Sequence, residues 1–390
     1  MNQSARTRFS CLAVMGSLCL GVAGCGGGSQ PEPADQTPAS EVSEPPRFTE
    51  SVESDAPPVN PAFFIDEALA APIVKEERTL SDGTRTLCYV IWTYSEPHEH
   101  EMGPWAPRHI DDGPEKGGIW FHEGHVHDVD GPFVRDIAEF YDDPEWKLYR
   151  EDGSIKVTDT KEAFLAAARP DVDPEYNNYV VEGRAEWLDR HVFEYVIPVQ
   201  PIRQDEPTLL GRPEGGPDGA PGGRPEGRPE RGDRPGGPPP RRDGDGGAPP
   251  RGRDGGGGGQ GLTVLGIAFN GVNFEPPAPV DAILAAHTLA PFDDAGGHIN
   301  PHNGYHYHAV TGYTKEIAQP DGHAPMIGYM LDGYGLFAHA NEDGSVPTGL
   351  DECGGHTDDI RGYHYHAGAP GDNQIIKGFR GIPGSMTADE

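Results

Sequence analysis

Asp293-Asp294-Ala295-Gly296-Gly297-His298 leads, seven residues later, to Tyr305-His306-Tyr307-His308-Ala309. The pattern returns as Asp351-Glu352-Cys353-Gly354-Gly355-His356 followed by Tyr363-His364-Tyr365-His366-Ala367, 58 residues further on. Ten of the 17 aligned positions are identical without a gap, and three of the ten are His. Chance does not produce such a match, so the sequence predicts an internal duplication. In a strand, successive side chains point to opposite faces. His306 and His308 therefore share one face, and Tyr305 and Tyr307 the other. Their Cα atoms lie about 7 Å apart, two strand rises, so both imidazoles reach one metal ion. His364 and His366 repeat the geometry. His298 and His356, each beside glycine, close two sets of three imidazoles. Three neutral imidazoles suit Zn²⁺, with Cu²⁺ competing by intrinsic affinity. Asp332, Asp351 and Glu352 are candidates to orient the ring N–H groups, the alternative for each being a capped turn.

The flanking sequence supplies strands. Asn270-Gly271 separates Val264–Phe269 from Val272–Phe274, a strong hairpin signal, and Asp332-Gly333 separates Met326–Leu331 from Tyr334–Phe337 in the same way. Upstream, Leu87–Tyr94 reads as a strand by its β-branched and aromatic content, and His191–Val199 as another. Asp152-Gly153 reads as a turn between two strands. Phe133, Val134, Ile137, Phe140 and Tyr141 recur at helical spacing after Pro132, and Asp159 can cap a second helix running to Ala168. The fold class is α+β, mostly β in the C-terminal block.

The paired Gly-Tyr-His-Tyr-His motifs, each preceded by Gly-Gly-His, resemble the YHYH-domain family of secreted bacterial proteins. So do Gly266-Ile267-Ala268-Phe269-Asn270-Gly271-Val272 and Gly328-Tyr329-Met330-Leu331-Asp332-Gly333. The resemblance covers about residues 190–382 and implies no particular activity. Family members often carry a Cys before the Gly-His of both repeats and another near the C-terminal Gly-rich end. Here Ala295 stands at the first position, and Gly378-Phe379-Arg380-Gly381 has no thiol.

Beyond the repeats, the chain divides by composition. Arg6 and Arg8 precede the apolar stretch Phe9–Val22, and Val22-Ala23-Gly24-Cys25 looks like a bacterial lipobox. Residues 1–24 are thus expected to be a signal peptide, and Cys25 the lipidated N-terminus of an exported, envelope-anchored protein. Residues 25–61 read as a disordered tether. Residues 62–189 form an α+β region without a family. The YHYH domain at 190–384 is interrupted at 211–261 by 51 residues, of which 20 are Gly and 11 Pro. Such an insert cannot pack a core. With the signal removed and Cys25 lipidated, Cys88 and Cys353 remain, either paired as a disulfide or free.

Acids outnumber Lys and Arg by 63 to 30, a formal charge of −33. That excludes nucleic acid as a partner, because such binding relies on cations displacing phosphate counterions. No apolar run after residue 25 approaches the roughly 20 residues of a transmembrane helix. A second candidate metal cluster is His122, His125 and His127, with His98, Glu99 and His100 upstream. The leading reading is a metal-binding envelope lipoprotein. A metal-dependent enzyme, a hydrolase or a copper oxidoreductase with Glu352 or Asp332 as base, is the second. A structural or adhesive surface module steadied by Ca²⁺ is the third.

Overall fold

The computed structural model describes residues 55–388 apart from 95, 169–171, 188–191, 211–263, 279 and 301–303. The signal segment, Cys25, the tether as far as residue 54 and the whole insert lie outside the described residues. The final residues of the expected tether, 55–61, are ordered against the body. Val59 is buried and its N–H donates to Val199 O, while Asp55 accepts from Tyr334 Oη and Arg203. One apolar side chain and one well-partnered carboxylate suffice to dock that end of a polar segment.

Strands dominate. The sheet that carries the duplicated sequence has eight, in the order β13-β14-β12-β11-β7-β8-β10-β9. They are β7 (Gly266–Ala268), β8 (Asn273–Phe274), β9 (Gly297–Asn300), β10 (Gly304–Tyr307), β11 (Met326–Met330), β12 (Gly335–Phe337), β13 (Gly355–Asp358) and β14 (Gly362–His366). The order reads the same from either edge. β9, β10, β8 and β7 run inward from one side; β13, β14, β12 and β11 run inward from the other. β8 and β10 pair in parallel with Tyr307 opposite Phe274, and β12 and β14 do so with Tyr365 opposite Leu336. The halves meet where β7 and β11 pair antiparallel, Ile267 opposite Tyr329. Both hairpin signals are realised, as β7–β8 around Asn270-Gly271 and as β11–β12 around Asp332-Gly333.

A second, antiparallel sheet has the order β1-β2-β5-β16, from β1 (Val74–Thr79), β2 (Arg85–Tyr94), β5 (Val192–Pro198) and β16 (Ser385–Ala388). Its strands come from both compositional blocks and from the C-terminus, so the boundary near residue 190 does not separate two bodies. One apolar cluster takes residues from both sheets, with Ile91, Tyr195 and Ile197 joining Tyr305, Tyr307, Tyr363 and Tyr365. β6 (Arg203–Leu209), immediately before the insert, pairs with β15 (Gly378–Gly381). Because sequence on both sides of the insert shares these sheets, cutting the chain with trypsin between Arg212 and Arg253 should leave two fragments that co-elute on native gel filtration. Separation of the fragments without denaturant would contradict this architecture.

Helices are few. α1 (Gly131–Phe140) is capped by Asp130, whose carboxylate accepts from Phe133 N, and it buries Val134 and Ile137. α2 (Lys161–Ala167) is capped by Thr160 rather than Asp159. Thr160 takes the N-cap because its hydroxyl is the one that reaches the backbone N–H of Ala163. Around Asp152-Gly153 the turn forms, but its flanks make isolated bridges, Tyr149–Ile155 and Ser154–His109, rather than strands. α1 packs in a second cluster with Trp120, Phe121, Leu289 and Phe292. Through Phe292, this cluster lies against the first histidine set.

Cys88 and Cys353 are both free, buried thiols, which corrects the possibility of a disulfide between them. They lie in different apolar clusters, Cys88 with Leu80, Val196 and Ile382, Cys353 in the large one. Burial pushes their pKa values up, to about 11 and about 12, so neither is poised as a thiolate. Thiol reagent applied to the folded, mature protein should react slowly, and unfolding should release two thiols per chain from these positions. Recovery of none after unfolding without reductant would show a bridge.

Candidate metal centre

The alternation in β10 and β14 does what the pleat dictates. Tyr305, Tyr307, Tyr363 and Tyr365 project to one face, His306, His308, His364 and His366 to the other, and all eight are buried. On the neighbouring strands His298 stands opposite His306 and His356 opposite His364. A Cβ at Gly297 or Gly355 would overlap the phenol of Tyr305 or Tyr363, so only glycine admits that tyrosine beneath the partner strand. The repeated Gly-His step is thus half packing and half ligand placement.

The two triads are nearly congruent. Ring centres are 4.7, 5.0 and 4.9 Å apart for His298–His306, His298–His308 and His306–His308. The corresponding distances for His356, His364 and His366 are 4.6, 5.0 and 5.2 Å. In each triad the potential ligand atoms lie within 4.8 Å of one another. The second set gains His323, from the loop between β10 and β11. Sequence reasoning missed this residue because it has no counterpart in the first repeat. Its only signal is a preceding glycine, shared with His298 and His356.

Backbone carbonyls fix the tautomers. Nδ1 of His306 meets Gly304 O at 3.1 Å, and Nδ1 of His364 meets Gly362 O at 2.9 Å. His308 meets Pro276 O at 2.7 Å and His366 meets Ala338 O at 3.0 Å. His323 meets Ala324 O at 3.0 Å. A carbonyl only accepts, so each Nδ1 carries the proton and each Nε2 presents a lone pair. These Nε2 atoms converge: that of His364 lies 3.0 Å from Nε2 of His356 and 3.1 Å from Nε2 of His323. Nε2 of His366 is buried with no hydrogen-bond partner. Bare lone pairs at that separation repel, and a buried orphan acceptor is costly; a cation between them relieves both.

Six of the seven rings are held neutral. Desolvation takes His306 and His364 down to about 4, and His308 and His366 to about 3; it also lowers His298 strongly and His323. Neutral imidazole is the ligating form. The donor set therefore fits Zn²⁺ or Cu²⁺, and not Ca²⁺, which takes oxygen.

Two of the three carboxylates expected to orient histidines, Asp332 and Asp351, serve the opposite face. Asp332 accepts from Tyr365 Oη at 2.5 Å and from the N–H of Gly381. Asp351 accepts from Tyr363 Oη at 3.0 Å and from the N–H groups of Cys353 and Gly355. Glu352 is exposed and pairs with Arg380 at 3.4 Å. These acids precede the His strands in sequence, but the pleat sends tyrosine towards them and imidazole away. None is a base beside a metal. Asp293 holds Tyr305 in the first half as Asp351 holds Tyr363 in the second.

His122, His125 and His127 sit on a separate two-stranded hairpin, β3 (Ile119–His122) and β4 (His125–Asp128). Ring centres are 6.3 Å apart for His122–His127 and 6.4 Å for His125–His127. His122 and His127 both pack on Phe140. Among the described residues only the two sets above bring three or more ligand atoms within 4.8 Å of one another, and this trio is not one of them. His100 hydrogen-bonds Tyr307 Oη at 2.9 Å, on the tyrosine face.

A β-rich protein with two all-imidazole clusters is thereby defined. Residues 256–348 match the family model described as YHYH protein, and the chain carries a YHYH domain. The matched span holds the first triad and His323, while His356, His364 and His366 follow it. No curated protein and no solved structure matched the chain. No helix among the described residues is long and apolar enough to cross a membrane.

Proposed function

We propose that this is an exported bacterial envelope protein, lipid-anchored at Cys25, that binds a transition-metal ion, Zn²⁺ or Cu²⁺, at each of two histidine sites built on duplicated half-sheets. The observation that carries the reading is the convergence of Nε2 atoms in the His323, His356, His364 and His366 set, with Nδ1 of His364, His366 and His323 tied to carbonyl oxygens. Orienting partners of that kind raise ligand basicity and lock ring direction. The near-palindromic sheet and the 58-residue sequence repeat support the duplication.

The test is titration of metal-stripped protein with Zn²⁺ and, separately, Cu²⁺, followed by thermal unfolding. Two equivalents should bind, and free metal at 100 times Kd should stabilise the fold by about 2.7 kcal/mol per site. An unshifted melting curve at millimolar metal would reject the reading. The anchor has its own test. Cys25→Ser should move the processed protein from the membrane to the soluble fraction; retention at the membrane would remove lipid attachment from the account.

A further inference from the structure

The two triads are alike, but what stands beside them is not. In the first half, Pro276 O accepts from Nδ1 of His308; in the second, Ala338 O accepts from Nδ1 of His366. Those carbonyls, together with the parallel registers Tyr307–Phe274 and Tyr365–Leu336, make position 275 the counterpart of position 337. The first half has Glu275 there and the second has Phe337. Glu275 is buried at 8 % exposure, and its Oε2 lies 3.4 Å from Nε2 of His306. Asn273 Nδ2 donates to the other carboxylate oxygen at 3.1 Å, which steers the group. Phe337 instead packs edge-on against His323 and His364, ring centres 4.9 Å away in both cases. His323 brings its own Nε2 to 3.1 Å from that of His364.

We infer that each site has a fourth ligand supplied from a different element: Glu275, at the end of β8, completes the first as three imidazoles and a carboxylate, whereas His323 completes the second as four imidazoles. The inference rests on the metal-binding reading above and deepens it. In the second half an apolar ring at the strand position leaves the loop histidine to approach. In the first the carboxylate stands at 3.4 Å from Nε2 of His306, at the edge of the triad. A divalent ion then keeps one positive charge at the first site and two at the second. Carboxylate donors also suit harder cations, whereas imidazole suits Zn²⁺, Cu²⁺ and Ni²⁺. The sites are therefore expected to differ in ion preference despite sharing a triad.

Co²⁺, whose visible absorption reports its donor set, is the probe, added to metal-stripped full chain. The unaltered protein should take up two Co²⁺ in resolvable steps. Glu275→Gln should weaken one step at least tenfold and leave the other unchanged. His323→Ala should do the converse. Glu275→Phe, which installs the side chain that the second half carries, should reproduce the Gln effect and serves if the first variant fails to fold. Folded Glu275 variants that bind both ions as tightly as the unaltered chain, or that lose both steps together, would overturn the assignment while leaving metal binding intact. A folded, unaltered chain that takes up no Co²⁺ would overturn the metal reading and this one with it.

Discussion

Replacing His364 by Ala should abolish metal binding at the second site and spare the first. His364 is the ring whose Nε2 lies within 3.1 Å of two others, so its removal opens the centre of the cluster. The affinity lost should exceed the roughly 10–100-fold typical of removing only an orienting partner. His306→Ala should do the same to the first site, and the double variant should hold no stoichiometric metal. Tyr305→Phe is the informative control. It removes a hydrogen bond to Asp293, buried at 1 % exposure, and should cost about 1–3 kcal/mol of stability. Metal content should stay unchanged, because the phenol is on the other face. Elemental analysis of the four proteins side by side distinguishes ligand loss from general damage. Metal retained by the double variant would make the repeats purely architectural.

The second large effect is acid unfolding of the metal-free protein. His306 and His364 are held at about 4 and His308 and His366 at about 3, whereas in the unfolded chain they protonate near 6.5. The unfolded state therefore binds more protons across this interval. Stability contributed by the neutral rings is complete above pH 6.5 and is lost as pH falls towards 4. Each ring held at about 4 removes up to about 3 kcal/mol and each held at about 3 up to about 5 kcal/mol, and whole domains have only about 5–15 kcal/mol. Asp332 has the opposite sign. Burial raises it to about 6, so its ionisation destabilises the fold as pH rises, and its protonation recovers some stability in acid. One carboxyl does not offset four imidazoles. Circular dichroism should show cooperative unfolding with a midpoint between pH 6.5 and 4, and saturating Zn²⁺ should move it lower. A metal-free protein still folded at pH 3.5 would mean that the rings are not held neutral by burial.

Much of this was legible in the residues, for identifiable reasons. Alternation in Tyr305–His308 and Tyr363–His366 fixes which side chains share a face, since a strand's period of two leaves no freedom. Asn-Gly and Asp-Gly between apolar runs fix the two hairpins for equally local reasons. The six repeated histidines converge as their spacing implies. What depends on distant pairing was not legible. His323 joins the second triad from a loop with no repeat to mark it. Glu275 meets His306 only because β8 and β10 pair in parallel across 30 residues of intervening sequence. Asp332 and Asp351 hold tyrosines rather than histidines because nearness in sequence does not say which face of the pleat an acid will serve, and Glu352 lies exposed against Arg380. Likewise β2, β5 and β16 form one sheet from three remote segments, and nothing local announces their order.

X-ray absorption on protein purified from the native envelope, with metal stoichiometry measured on the same sample, reads the ligand shell itself. Two first-row transition-metal ions per chain are expected. So are multiple-scattering features of three to four imidazoles per ion, with metal–nitrogen distances of about 2.0–2.1 Å if the metal is Zn²⁺. A sulfur-dominated or imidazole-free first shell, or protein that carries no stoichiometric metal and acquires none on reconstitution, would contradict it.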